Sequence, residues 1–574
     1  MTLPFRPFQS GGRISSHIIP GAYSRIDSVL GAAGLAAANN GVVMGQSTGG
    51  EPTTLLQFNS IAEAVSTLRS GPLMEAVRLA FNPGQGLNPQ RLFAMRVNPA
   101  TRASLNLDSG ANAMIALQSL DYGLYTNQIR VTVANGTNSG KRVTIEFQSD
   151  TPEDFDDIIR QSFTIQYTTG AATMTIVNNS SAQTLTTSAG GLNITLSDYN
   201  TVGELVSFIN TQTGFTCSVT AGQENASPLE LDAVSAQDIN TSSYTAESSM
   251  QAMIDVINAN SARVGATAAN GTNDRTVVDN LAATFLSGGT EGTYNAAAWT
   301  TALTALEAED VQFVSTPDSD AAVHAQIKTH CEAMSAVTGR KERQFLLGAP
   351  YKTGTVSTEI TNAISAAVTL NSRTGMYVFN GGTQRDVNGN IQQYGGSYAG
   401  CMLMGAKCAL AINQPLTFKE LNFIELEWKL SESQVENLLK NGVATVNYSP
   451  TGIPRLVRQF NTYQTDDIKF NEFSAVTGMF FISRDLRQSL ENRFVGQPGT
   501  AVTGGVLRGA VEDRLTEYEN LGVIIRNPET GQAWFNVQVT LNADQVFVDF
   551  DAFITLPVNF IFITQHFHEL VATL

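Results

Sequence analysis

The sequence predicts a multidomain protein of mixed α/β and α+β class. Three stretches carry that reading. From Thr290 to Pro454 helical patterns alternate with short apolar runs, as in a mostly parallel sheet covered on both faces. From Ala103 to Gly289 short strand patterns alternate with Asn, Gly, Ser and Thr turns. From Thr462 to Phe567 two helical patterns lead into closely spaced strands. A chain of 574 residues has room for about three or four such units.

Taken in order, residues 1–20 form an N-terminal arm. Pro4, Phe5, Pro7 and Phe8 set an extended chain without a usable period, and Phe5, Phe8 and Ile14 are apolar side chains that need a docking place. Residues 21–102 open ordered structure. Gly41–Gly45 and Leu92–Val97 read as strands, and Ser60–Ala80 as helix around Gly71-Pro72. Residues 103–196 read as an inserted β-sandwich-like domain. Residues 197–289 read as a second, α+β unit, with helices near Val202–Asn210 and Ser248–Asn260.

Residues 290–454 form the α/β unit. Its helices are expected at Asn295–Ala308, Ala321–Val337, Glu359–Leu370 and Gly400–Ala411, with strands at Val311–Val314, Arg343–Leu347 and Met376–Phe379 between them. Residues 455–574 form the last unit. Helical patterns lie around Arg484–Arg493 and over Val506–Leu521, the second with Leu507, Val511, Leu515 and Tyr518 on one face and Gly522 as its stop. Strands follow at Val523–Arg526, Ala533–Leu541, Val546–Leu556 and Val558–Phe567. The last two are apolar on both faces, so the final strand needs cover that one chain does not obviously supply.

Composition narrows the function. Lys and Arg number 34 against 51 Asp and Glu, a net charge of −17, which argues against nucleic acid as a partner. Most of that charge falls in residues 103–289, with six basic and eighteen acidic residues, as expected of an outward-facing, soluble insertion. Cys217, Cys331, Cys401 and Cys408 are too few and scattered for a disulfide framework or a zinc site. Met1–Ser16 lacks a signal-peptide pattern, and no apolar run is long enough to span a membrane.

Motifs that imitate catalysis are weak. Gly395-Gly396-Ser397-Tyr398-Ala399 puts a serine before a helix, but the nearby His324 and His330 share one helix rather than a strand end, so Ser397 reads as a helix cap. Gly45–Gly50 lacks the Gly-Lys-Ser/Thr ending of a phosphate loop, and Gly288–Gly292 carries an acid there and reads as a turn. His566 and His568 share a strand face without a third ligand. No catalytic residue, cofactor or metal is expected.

Several segments resemble contractile phage tail sheath proteins, in that family's order. They are Gly49-Gly50-Glu51-Pro52, Gly71-Pro72-Leu73, Ala80-Phe81-Asn82-Pro83 and Arg96-Val97-Asn98 near the N-terminus. In the middle are Leu286–Gly292, Ala399–Ile412, Ser431–Gln434, Leu438–Val443 and Arg455–Arg458. Phe494-Val495-Gly496, Gly522-Val523-Ile524 and Leu556–Ile563 complete the set. The inserted units match least.

The resemblance implies a subtilisin-like but non-catalytic α/β domain and a small α+β core domain built from both chain ends. It implies a homo-oligomer of stacked hexameric rings around a tail tube protein, meeting baseplate and tail terminator or neck proteins. It implies residence in the virion tail after assembly in the host cytoplasm, and contraction that drives the tube through the host envelope. Neighbours would be tied by strand exchange, with Phe5, Phe8, Ile14, Val558, Phe560, Ile561, Phe562 and Ile563 as candidates. Arg508, Glu512, Arg514, Glu517 and Glu519 are candidates for a polar, breakable grip on the tube. Other readings are an R-type bacteriocin or secretion-apparatus sheath, a hydrolase using Ser397, and an adhesin built on the insertion.

Overall fold

The computed structural model describes residues 39–497, 503–542, 544–561 and 563–566, together with the backbone of 6–10 and 13–17. Its centre is a six-stranded sheet. From one edge the order is Leu55–Phe58, Leu92–Arg96, Gly41–Gly45, Phe313–Ser315, Gln344–Gly348 and Gly375–Val378. All neighbours pair in parallel except the antiparallel edge strand Leu55–Phe58.

Successive residues along each strand feed opposite faces. Val43, Leu346, Met376 and Val378 enter one core, with the helices Ile61–Leu68, Pro72–Phe81 and Gly396–Ala409. Val42, Met44, Phe345, Leu347 and Tyr377 enter the other, with Ala296–Leu306, Ala321–Met334 and Val356–Leu370. Two covered faces explain why these strands read as unbroken apolar runs.

The sheet also corrects an expectation. The strands within residues 41–96 pair with those of 313–378, so they complete the α/β unit rather than a domain shared with the C-terminus. Helix Gly396–Ala409 fixes this arrangement. A Cβ on Gly405 would stand 1.9 Å from the Ala80 carbonyl oxygen, so only glycine lets the helix lie against Pro72–Phe81.

The insertion is nested rather than sequential. Residues 103–158 and 250–286 share one core, including Val131, Ile145, Met253 and Val264. Residues 163–246 form a second core inside it, around Phe163, Leu185, Leu205 and Ile239. The division expected at residue 196 falls within this inner core, because Ile194 and Leu205 pack in the same cluster. The insertion leaves and re-enters the α/β unit through a short neck where Thr101 pairs with Thr290 and Ser104 with Ser287. At its foot the fully buried Arg96 forms an ion pair with Glu291 and donates to the Gly50 carbonyl at 2.9 Å, so the apparent Gly288–Gly292 turn also closes a lock.

The C-terminal unit hangs from a helix of 22 residues, Phe473–Phe494, longer than the pattern around Arg484–Arg493 suggested. Its first half is buried on every side, which removes any amphipathic period. Phe473 stacks on Phe313 of the sheet with ring centroids 6.1 Å apart, and Thr477 Oγ1 donates to Gln344 Oε1 at 2.7 Å. Its second half packs with the helix Gly504–Asn520 and with the hairpin Trp534–Asn542/Gln545–Ala552. Val523–Arg526 is not a strand; one isolated bridge joins Ile524 to Ile554.

Candidate intersubunit surface

The functional question turns on the hairpin and the tail beyond it. The hairpin is a two-stranded sheet, so each strand has one open edge among the described residues. Val546–Leu556 reads in sequence as a strand apolar on both faces. The strand Gln545–Ala552 is nevertheless largely exposed, with Val546 and Phe547 open to solvent. Beside it runs a groove of about 570 Å³, lined by Met479, Ile482, Leu486 and Leu490 of the long helix and by Phe550 and Ile554. An open backbone edge next to an apolar groove is the geometry that accepts an added strand.

The tail beyond the hairpin is apolar and not in strand form. Residues 555–561 and 563–566 form no strand, contrary to the Val558–Phe567 expectation. Val558 is 82% exposed, Phe560 67%, Ile561 79% and Ile563 76%. A strand needs a partner edge, and among the described residues the tail does not pair with its own hairpin. Phe562 and His568 lie outside the described residues, as does Phe5. Phe8 and Ile14 lie on described backbone, which is a hairpin of Arg6–Ser10 with Arg13–His17 rather than a single extended arm.

The proposed tube-contact residues are engaged within their own unit. Arg508 Nε pairs with Glu512 at 2.8 Å, Arg514 Nη1 with Glu517 at 2.6 Å, and Arg526 with Glu519. Arg514 also donates to Ser489 Oγ at 3.0 Å and stands 3.8 Å from the buried Asp485 carboxylate. Arg514 therefore joins the two helices, and Arg508 and Glu517 are the most exposed members of the set.

The residues that suggested catalysis are placed otherwise. Ser397 is buried, and its Oγ donates to the Pro317 carbonyl at 2.8 Å. It is not a cap: Gly395 holds the N-cap position of that helix. His324 bonds the Asp318 carbonyl at 2.9 Å through Nε2. His330 Nε2 accepts from Arg343 Nη1 at 2.6 Å, and burial first, then the guanidinium, pull its pKa down to about 4. No group of metal-ligating side chains is present among the described residues, and His566 is exposed.

Sequence reasoning missed two buried charges. Lys407 ends its helix by donating to the carbonyls of Ile412 and Gln414, both at 2.9 Å, and burial lowers its pKa to about 7. Lys352 pairs with Glu427 at 2.7 Å, both side chains nearly inaccessible. Single lysines in apolar or loop text carry no local signal of this.

Comparison with known proteins points the same way along most of the chain. Residues 292–462 match the phage tail sheath protein central domain. The tail sheath protein of Bacillus phage SP01 is 24% identical over 576 aligned positions, covering 96% of this chain and 95% of the relative. The chain carries a phage tail sheath central domain and resembles tail sheath proteins along nearly its whole length. A second relative, the tail sheath protein of Staphylococcus phage Twort, is 24% identical over 89% of the chain and 90% of its own length. The crystal structure of a sheath tail protein from Desulfitobacterium hafniense shares the fold, with a TM-score of 0.54, 13% identity, and coverage of 93% of this chain and 96% of that one. The Listeria innocua sheath tail protein is comparable, with a TM-score of 0.54 at 12% identity over 91% of this chain and 96% of its own.

Proposed function

We propose that this sheath protein is the protomer of a contractile tail sheath in the virion, joined to its neighbours by exchanged strands. The observation that carries the joint is the pairing of two unfinished features: a hairpin with open edges over an apolar groove, and an apolar tail with no edge of its own. The tail of one protomer adds to the hairpin of the next through Val558, Phe560, Ile561, Phe562 and Ile563. The N-terminal segment with Phe5, Phe8 and Ile14 takes the other edge, opening its hairpin to do so. Stacked hexameric rings would enclose a tube protein gripped through Arg508, Glu512, Glu517 and Glu519, with Arg514 holding their helix in place. Baseplate and neck proteins would close the ends.

In this reading the α/β unit has the subtilisin-like form without its chemistry, and contraction consumes no nucleotide. Free energy is stored in an extended lattice and released as protomers slide into closer contact. The exchanged strands act as hinges that survive the slide. The outward, acidic insertion keeps neighbouring tails apart.

The test is electron microscopy of the purified chain at high concentration. Tubes or rings are expected. Removing residues 1–20, or residues 558–574, leaves a folded monomer that forms neither. Undiminished tube formation by both truncated chains would rule out strand exchange.

A further inference from the structure

The tail is not free from its root. After Ile554 it crosses back to the α/β unit. There Asn559 Nδ2 donates to Glu472 Oε1 at 2.8 Å. The same oxygen accepts two bonds from Arg458, from Nε at 2.8 Å and Nη2 at 2.5 Å. The Glu472 side chain is fully buried, and that of Arg458 is partly exposed. The Arg458 guanidinium lies 4.9 Å from the Phe460 ring centroid and 5.5 Å from that of Phe560. Phe560 thereby stands at the edge of a cleft of about 1380 Å³, floored by Leu430, Val435 and Leu439 beside the helix Glu432–Lys440.

We propose that this cleft edge is a docking site for the protomer's own C-terminal tail, held there by Asn559 on Glu472 and Phe560 on Arg458, and that the hold is released when the tail passes to a neighbour. The proposal rests on the exchange reading. The chemistry suits a reversible hold. A neutral amide on a buried carboxylate is a strong hydrogen bond, and an aromatic ring on a guanidinium is a modest attraction; both are local and neither buries much of Phe560. The side chains that the exchange needs, Ile561 and Ile563, stay outside the hold and remain exposed. The free protomer is thus restrained at the root of its tail without losing the strand that a neighbour reads. Spontaneous polymerisation is slowed, while an existing sheath end, offering an open hairpin edge, draws the tail away.

The experiment uses the full chain. Asn559→Ala removes the amide, and Asn559→Asp sets a second carboxylate against Glu472. Chymotryptic cleavage of the monomer after Phe560 reports the hold itself; the lag before tube formation reports its consequence. Both variants should speed that cleavage about tenfold, the loss expected for one hydrogen bond to a charged group. Both should also shorten the lag. Unchanged cleavage overturns the hold. Faster cleavage with an unchanged or longer lag overturns its role as a restraint, and marks Asn559 as a joint kept in the lattice. Undiminished tube formation by both truncated chains would sink strand exchange instead, leaving monomer cleavage to judge the hold alone.

Discussion

At the scale of single residues, the α/β unit is stabilised by groups whose surroundings leave one protonation state or one size of side chain. His330 is neutral because it accepts a bond from Arg343 in a buried site. Its folded pKa of about 4 lies below the ordinary value of 6.5, so the unfolded chain binds more protons across that interval. The contribution of His330 to stability is therefore complete above pH 6.5 and falls as pH drops towards 4, by about 2 kcal/mol at pH 5. Thermal melts at pH 7 and pH 5 should show the fall, and His330→Gln should flatten it. Gly405 carries the size constraint. Gly405→Ala forces a methyl group into the Ala80 carbonyl, and should cost about 1–3 kcal/mol in denaturant melts, the usual range for overpacking.

Neither effect is legible in the text of the chain. Gly405 is one glycine in an apolar helix, and only the position of Pro72–Phe81 makes it indispensable. Ser397 looked like a cap because it precedes a helix; its true partner, Pro317, is remote in sequence. Glu291 looked like an ordinary turn acid until Arg96, far away along the chain, was seen to face it.

At the scale of elements, legibility follows locality. The α/β rhythm could be read because parallel strands buried on both faces are continuous apolar words between amphipathic helices. The strands Trp534–Asn542 and Gln545–Ala552 could be read because one alternates and the other is a dense apolar run; their pairing as a hairpin had no local mark. Sheet membership of Gly41–Gly45 could not, since its partners Phe313–Ser315 and Leu92–Arg96 are chosen by packing rather than by any local pattern. The same holds for the nested insertion, whose outer core joins residues on both sides of an independent inner one. The front half of Phe473–Phe494 hid because burial all round leaves no stripe.

The element that matters for assembly is the groove beside the hairpin. Phe550→Glu places a charge in it while changing little of the protomer's core, because Phe550 is only partly buried. The variant should melt within about 1 kcal/mol of the parent, as surface changes usually do. It should form few or no tubes in sedimentation or microscopy. A variant that assembles normally would show that no strand enters the groove.

At the scale of the whole molecule, a single exchanged strand is a weak joint. Burying four apolar side chains of the tail gains on the order of 6–12 kcal/mol. Fixing about six residues of backbone costs a similar amount. One joint therefore nearly balances, and stability must come from several joints and interfaces made together. Assembly should consequently show a threshold concentration and a lag, and light scattering against protein concentration measures both. The weakness suits the function, because a lattice that changes its neighbours during contraction needs contacts that can be broken.

The most direct measurement is a high-resolution reconstruction of the assembled tube. The prediction is that residues 558–563 of one protomer lie as a strand against the hairpin Trp534–Asn542/Gln545–Ala552 of another, with Ile561 or Phe560 in the groove lined by Ile482 and Phe550. A reconstruction in which that segment stays on its own α/β unit, and the hairpin edges face only solvent, would contradict it.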